Sequence, residues 1–200
     1  MTRSFGLTFD YRCPYARVAH DHVLAGLRAG ANWDVTFLPF SLGQAHVEEG
    51  GGAPVWEQPD SDSGLLALQL ALAVRDTQPE RFRDVHGALF EHRHAAAGDL
   101  RDRAALSTVL ARAGADVDAA WAEVDAGRPL ATAEKEHASF VQSHNVWGVP
   151  TFVVGDAAVF VRLLDRPEGD GDLAIRTIER ILDQIDWPIL NELKHTSIPR

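Results

Sequence analysis

The chain has 200 residues, of which 46% are apolar, and carries a formal net charge of −10. That length and apolar content suit one compact domain with an insertion, or two small lobes around a real core, and the negative charge disfavours nucleic acid and anionic membrane as partners. With Cys13 as the only cysteine there is no disulfide within the chain, and no stretch has the length and apolarity of a membrane span.

In chain order, residues 4–10 (SFGLTFD) read as a strand that runs into Arg12-Cys13-Pro14-Tyr15-Ala16, and a helix is predicted from about Pro14 to Arg28. A second strand is predicted over residues 33–40, and a helix between two strands fits a right-handed crossover, which makes the strands parallel. Residues 41–64, with Gly50, Gly51 and Gly52 among Asp, Pro and Ser, predict a long loop. From Leu65 to Gly127 the pattern turns helical, in the segments LLALQLALAVRD, PERFRDVHGALFEHRH, DRAALSTVLARAG and DVDAAWAEVDAG, an insertion of three to four helices. A further helix is predicted over about 130–143. The strand TFVV, a tight turn at Gly155-Asp156 and the strand AAVFVRLL follow. The last long helix, about 172–185, carries an apolar stripe of Leu173, Ile175, Ile178, Ile181, Leu182 and Ile185, and the tail WPILNELKHTSIPR has no clear period. Met1-Thr2-Arg3-Ser4 lead straight into a strand without a signal-type apolar region, so the expected location is cytoplasmic.

Cys13 falls at the predicted N-cap or first turn of a helix, with Pro14 at a position where its missing N–H and fixed φ suit the helix start. Free backbone N–H groups and the positive end of the helix favour a thiolate there, and Arg12 and Arg17 add positive charge, so a depressed thiol pKa is expected. The ordinary fate of a free cysteine, a small buried hydrophobe, is disfavoured by the polar neighbours and the helix start. The stretch Cys13-Pro14-Tyr15-Ala16 has the form of a CxxC motif with alanine at the resolving position. Ala16 has no thiol with which to attack a mixed disulfide, so resolution needs an external thiol, and a dithiol oxidase acting by itself is excluded on stoichiometry.

FDYRCPYA, a helical block and then GVPTFVVG, in that order, resemble the DsbA-like family of the thioredoxin superfamily over nearly the whole chain. The resemblance implies an α/β thioredoxin fold, a four-stranded mixed sheet flanked by helices, with residues 1–40 and 128–200 forming the thioredoxin-like unit and 41–127 a loop plus all-helical insertion. It also implies a cis bond before Pro150 and a substrate-pairing backbone at Val149. Similar families include a mycothiol-dependent nitroreductase, FrnE-like oxidoreductases, kappa-class glutathione transferases and 2-hydroxychromene-2-carboxylate isomerases. The transferases and isomerases usually carry Ser where Cys13 stands. The site residues assigned are Cys13 as catalytic nucleophile, with Pro14, Tyr15, Trp147, Val149, Pro150 and Thr151 binding substrate.

His86, His92 and His94, at i, i+6 and i+8, are placed on different helix faces as solvated surface residues rather than a metal site. His20 lies seven residues after Cys13, about 10 Å up the helix and too far for direct proton transfer, and is expected to pack near Val23 and Leu27. Trp56 and Trp147 sit on segments expected to flank Cys13, and Tyr15 is expected to be exposed at the helix start. The pocket is expected to be shared between Cys13 and Pro150 on one side and residues 41–64 with the helical insertion on the other. The functional expectation is a single-cysteine oxidoreductase that uses a low-molecular-weight thiol, mycothiol or glutathione, on a small-molecule or thiol substrate, without a metal; a homodimer is compatible with it. The alternatives are a non-redox protein that binds a peptide or partner as an added strand beside Val149-Pro150-Thr151, and a transferase-like isomerase in which Cys13 only orients a bound thiol.

Overall fold

The computed structural model describes residues 2–190 and Glu192; Met1 and most of the aperiodic C-terminal tail lie outside the described residues. Four strands, β1 (Arg3–Phe9), β2 (Trp33–Pro39), β3 (Thr151–Val154) and β4 (Ala157–Phe160), form one sheet in the order β2-β1-β3-β4. β1 runs parallel to β2 and antiparallel to β3, and β3 pairs antiparallel with β4, so the sheet is mixed. β1 lies inside the sheet, which is why its last five residues are buried whichever face they point to. Phe5 stacks on Phe152 of β3, and Gly6 leaves room for Leu38, whose Cδ1 would lie 2.5 Å from any Cβ at that position.

β2 is an edge, and its sequence shows how the edge is closed. Asn32 C=O accepts from Arg3 N–H, and Phe40 N–H donates to Phe9 C=O, so the even-numbered positions face β1 and the odd-numbered ones face outward. Pro39 therefore sits where its missing N–H costs no ladder bond, and Arg75 Nη1 caps the outward Phe37 carbonyl at 3.4 Å.

Eight α-helices are described: α1 (Pro14–Arg28), α2 (Leu42–Gly50), α3 (Leu65–Thr77), α4 (Pro79–His94), α5 (Arg103–Arg112), α6 (Val117–Asp125), α7 (Arg128–His144) and α8 (Gly171–Ile185). α3 is apolar almost all round and is buried over nearly its whole length, packing against α4, α6 and α7. α7 also reaches β2, and α8 lies along α1 with Ala174, Ile178 and Leu182 inward. Leu173, assigned to that apolar stripe from the sequence, is instead 40% exposed, because it falls off the i, i+4, i+8 row that meets α1.

Two further expectations are corrected. Residues 41–64 are not one loop: Ser41 Oγ accepts the Gln44 N–H and starts α2, and two short 3-10 turns follow at Val55–Glu57 and Pro59–Ser61. Only the glycines at its C-terminal end stop that helix, Gly51 taking a positive φ of 74°. The final strand ends at Phe160 rather than running to Leu164, because β3, its one partner, is only four residues long.

The packing of α1 against the sheet and α8 leaves no space at Gly26, where a Cβ would fall 2.4 Å from Trp33 Cζ3. Gly26→Ala should therefore destabilise the fold by about 1–3 kcal/mol through overpacking, despite the better helix propensity of alanine. A lowered urea midpoint with unchanged slope is the expected result, and an unchanged or raised midpoint would contradict this packing.

Candidate active site

Cys13 is the N-cap of α1, with extended backbone at φ −87° and ψ 117°. Its Sγ accepts a hydrogen bond from Ala16 N–H at 3.4 Å and donates to the Val149 carbonyl, also at 3.4 Å. The thiol is half-buried, and burial pushes its pKa up. The Ala16 and Tyr15 N–H groups act in the opposite direction, Asp10 adds to the rise and Arg162 opposes it. The thiolate favoured from the helix position is thus outweighed by desolvation, and the protonated form has a ready acceptor in Val149 C=O.

The two arginines expected to help the thiolate are engaged elsewhere. Arg12 donates to both Asp10 oxygens, with Nη2 at 2.6 Å, and its Nη1 reaches Asp62 at 3.0 Å. Arg17 pairs with Glu91 and lies 3.7 Å from Asp21. Asp10 also accepts the Arg12 and Leu42 N–H groups, while Asp62 accepts those of Gly64 and Leu65 at the start of α3. Segment 41–64 therefore meets the active-site turn through Leu42 and Asp62.

Opposite Cys13, the Val149–Pro150 bond is cis. Thr151 N–H donates to Thr8 Oγ1 at 2.8 Å, and both threonine hydroxyls donate to Gly148 C=O, which fixes this segment to β1. Val161 N–H donates to Pro150 C=O at 3.1 Å, extending the β3–β4 ladder by one bond. Pro14 is exposed. Tyr15 is half-buried rather than exposed, because the Arg162 guanidinium lies 4.9 Å over its ring. Trp147 is 66% exposed and leans on Phe160 at 4.6 Å, and Trp56 is half-buried edge-on to His137. The structure thus sets Cys13, with Pro14 and Tyr15 following it in the same turn, against the Val149 carbonyl, which Pro150 and Thr151 follow in the chain, while the ring of Trp147 lies on Phe160. Arg162, which no motif marks, is the residue that sequence reasoning missed; only the β3–β4 register signals it.

The histidines differ most from expectation. His86 is fully buried, not solvated, and with Tyr11 and His20 it forms a chain: Tyr11 Oη to His86 Nδ1 at 2.7 Å, His86 Nε2 to His20 Nδ1 at 2.9 Å, and His20 Nε2 to Thr8 C=O at 3.1 Å. A carbonyl only accepts, so His20 carries its proton on Nε2 and its Nδ1 accepts from His86 Nε2–H; His86 Nδ1 then accepts from the tyrosine hydroxyl. The chain has a single polarity while both rings are neutral. Burial keeps them so, holding His20 at about 4 and His86 well below its ordinary value. His94, half-buried two turns beyond His86, bonds Tyr11 C=O, and His92 faces Asp99 C=O. A separation of eight residues is only about 80° around a helix, so His86 and His94 share a face that the sequence reading had separated.

Among the described residues no group of three or more His, Cys, Asp or Glu is placed to hold a metal ion, and no helix is long and apolar enough to cross a membrane. A cavity of about 530 Å³ lies along β2, lined by Phe37, Arg75, Phe82, Glu136 and Phe140 among others; none of its lining residues belongs to the Cys13 site or to segment 41–64.

The DSBA-like thioredoxin domain matches residues 7–166. Among curated proteins no sequence matches the chain. Solved structures share its fold at low identity. The thiol-disulfide exchange protein alpha-DsbA2 from Wolbachia pipientis is 18% identical, with a TM-score of 0.63 over 92% of this chain and 81% of that one. The cytosolic disulfide reductase DsbM from Pseudomonas aeruginosa, solved with GSH, is 15% identical, with a TM-score of 0.61 over 90% and 99%. A 2-hydroxychromene-2-carboxylate isomerase is 11% identical, with a TM-score of 0.64 over 90% and 96%.

Two buried neutral histidines give the fold a pH dependence. Their folded pKa values lie below the unfolded value near 6.5, so between about pH 6.5 and 4 the unfolded chain binds more protons. Stability should be greatest above that window and fall on acidification through it, each group adding up to about 1.4 kcal/mol per pH unit. Denaturant midpoints measured between pH 7 and 5.5, above the range where ordinary carboxylates titrate, test this, and a flat profile would exclude a neutral buried pair.

Proposed function

From the premise that the chain belongs to the DSBA-like thioredoxin domain family, we propose that it is a single-cysteine thiol-disulfide oxidoreductase working with a low-molecular-weight thiol, glutathione or mycothiol. The observation that carries this reading is the pairing of Cys13 Sγ, capped by Ala16 N–H, with the Val149-Pro150 backbone, while the resolving position holds a fully buried Ala16. In the forward step the Cys13 thiolate attacks a disulfide R′S–SR′. The Cys13–S–SR′ bond forms, the S–S bond breaks, and R′S⁻ leaves with the electron pair and takes up a proton. A thiolate RS⁻ then attacks the SR′ sulfur, releasing RS–SR′ and the Cys13 thiolate. The net exchange, RSH + R′S–SR′ giving R′SH + RS–SR′, balances without a second protein thiol. As the S–H proton leaves Cys13, Val149 C=O loses its donor and becomes free to accept from a substrate backbone or amide N–H. A reducing, thiol-rich compartment suits a catalytic thiol that depends on an outside partner.

One observation favours a second reading. Burial raises the Cys13 pKa, and the S–H donates to a carbonyl, so Cys13 also has the chemistry to donate a hydrogen bond to a bound thiolate without exchanging with it, as an isomerase-type site requires. Its alkylation rate should rise with pH to a midpoint at or above about 8.5, the free-cysteine value; a midpoint below 7 would mean that the helix N-terminus outweighs burial.

Incubation with glutathione disulfide or mycothiol disulfide should give one adduct per chain by intact mass, reversed by excess thiol and lost in Cys13→Ser. The exchange reading fails if no adduct forms with either. Ala16→Cys should confer insulin reduction that the natural protein lacks without added thiol, and dithiol-type turnover by the natural protein alone would refute the role given to Ala16.

A further inference from the structure

We infer that Arg162 is the anion-recognising residue of the Cys13 site, and that it selects a thiol or disulfide bearing a carboxylate, of the glutathione type, over an uncharged one. The inference rests on the use of Cys13 with a small thiol and names which class of thiol it is.

Three arginines stand near Cys13, and two are neutralised. Arg12 is held by Asp10 and Asp62, and Arg17 by Glu91 and Asp21. Arg162 makes no ion pair or hydrogen bond with any described residue, yet it is held in place. Val161 N–H donates to Pro150 C=O, which fixes residue 162 beside the cis-proline, and its guanidinium rests 4.9 Å over the ring of Tyr15, two residues from Cys13. Stacking on an aromatic face leaves the edge of the guanidinium fork, with its paired N–H donors, free for the two oxygens of a carboxylate. A lysine in the same place would offer only a point charge. The field of Arg162 also favours a thiolate at Cys13, but it is the weakest of the influences there, so its loss leaves the reactivity of the thiol itself nearly unchanged. In a chain of net charge −10 a small anion is repelled by most of the surface, so one unpaired cation beside the thiol discriminates between a tripeptide thiol with free carboxylates and a neutral sugar thiol.

The test compares the natural protein with Arg162→Gln and Arg162→Lys, substitutions at an exposed position. The rate of mixed-disulfide formation at Cys13 is measured by intact mass with glutathione disulfide and with uncharged bis(2-hydroxyethyl) disulfide, and the binding of redox-inert S-methylglutathione by calorimetry. Arg162→Gln should slow reaction with glutathione disulfide and weaken S-methylglutathione binding by about tenfold, and change the rate with the uncharged disulfide by less than about twofold, with Arg162→Lys intermediate. Equal slowing with both disulfides would overturn the inference and make Arg162 an activator of the thiol. No change in either would overturn it outright. If Cys13 of the natural protein reacts with neither disulfide, the exchange reading fails, and S-methylglutathione then decides the point: binding that requires Arg162 upholds the inference, and binding that is absent or unaffected overturns it.

Discussion

The turn that presents Cys13 depends on a buried ion cluster. Asp10 ends the strand before the site, Arg12 lies in the turn, and Asp62 stands at the foot of α3 in the helical block. Asp10 accepts from the backbone of Arg12 and Leu42, so one carboxylate ties the β1–α1 turn to the start of α2. Asp62 joins Arg12 to the first N–H groups of α3 in the same way. Three charges are largely withdrawn from water here, and removal of one partner from such a cluster typically costs about 3–5 kcal/mol because the others are left unpaired. The space around it is also specified: Gly43 and Gly64 pass so close that a Cβ would fall 1.9 Å from Asp62 Oδ2 and 2.6 Å from Arg12 Nε. Cys13 therefore sits on a turn that the insertion helps to hold.

The same cluster sets the chemistry of the thiol by what it withholds. Arg12, adjacent in sequence, contributes no free charge, and the electrostatic balance at Cys13 falls to burial and Asp10 on one side and two backbone N–H groups with Arg162 on the other. Burial prevails. A helix N-terminus lowers a thiol pKa only where the anion stays open to its dipole and to water, and here the Sγ is half withdrawn and turned toward Val149 C=O.

Behind the site, Thr8 connects two polar systems through one residue. Its hydroxyl holds Thr151 N–H and Gly148 C=O on the cis-proline side, and its carbonyl terminates the chain from Tyr11 through His86 and His20. The aromatic rings of Phe9, Phe37, Phe82 and Phe90 surround those histidines. A polar chain inside such a core is tolerated because every proton along it has one acceptor, and that arrangement fixes the position of Tyr11 directly before the active-site turn.

Periodicity and punctuation carried much of the architecture. The strands at both ends, the crossover helix and the helical block follow from apolar spacing and from Gly and Pro boundaries, and the site's core follows from Cys13, Pro14 and Ala16 in one turn with Val149, Pro150 and Thr151 in another. That the chain has no second thiol of its own to pair with Cys13 needs only the identity of residue 16 and the cysteine count. What the sequence alone misplaced has a common cause, since burial and charge pairing are properties of residues distant in the chain. Arg12 reads as a free cation until Asp62, fifty residues on, joins Asp10 in pairing it, and His86 reads as solvated until Tyr11 and His20 enclose it; α2 is the exception, since the Ser41 cap that starts it is local. Arg162 is one arginine among many until the β3–β4 register sets it beside Pro150. The sequence by itself determined which thiol stands at the start of α1 and which is missing one turn on. Only the tertiary structure decided the electrostatic setting of the Cys13 thiol, because desolvation and ion pairing depend on what surrounds a group in space, and no local pattern encodes that.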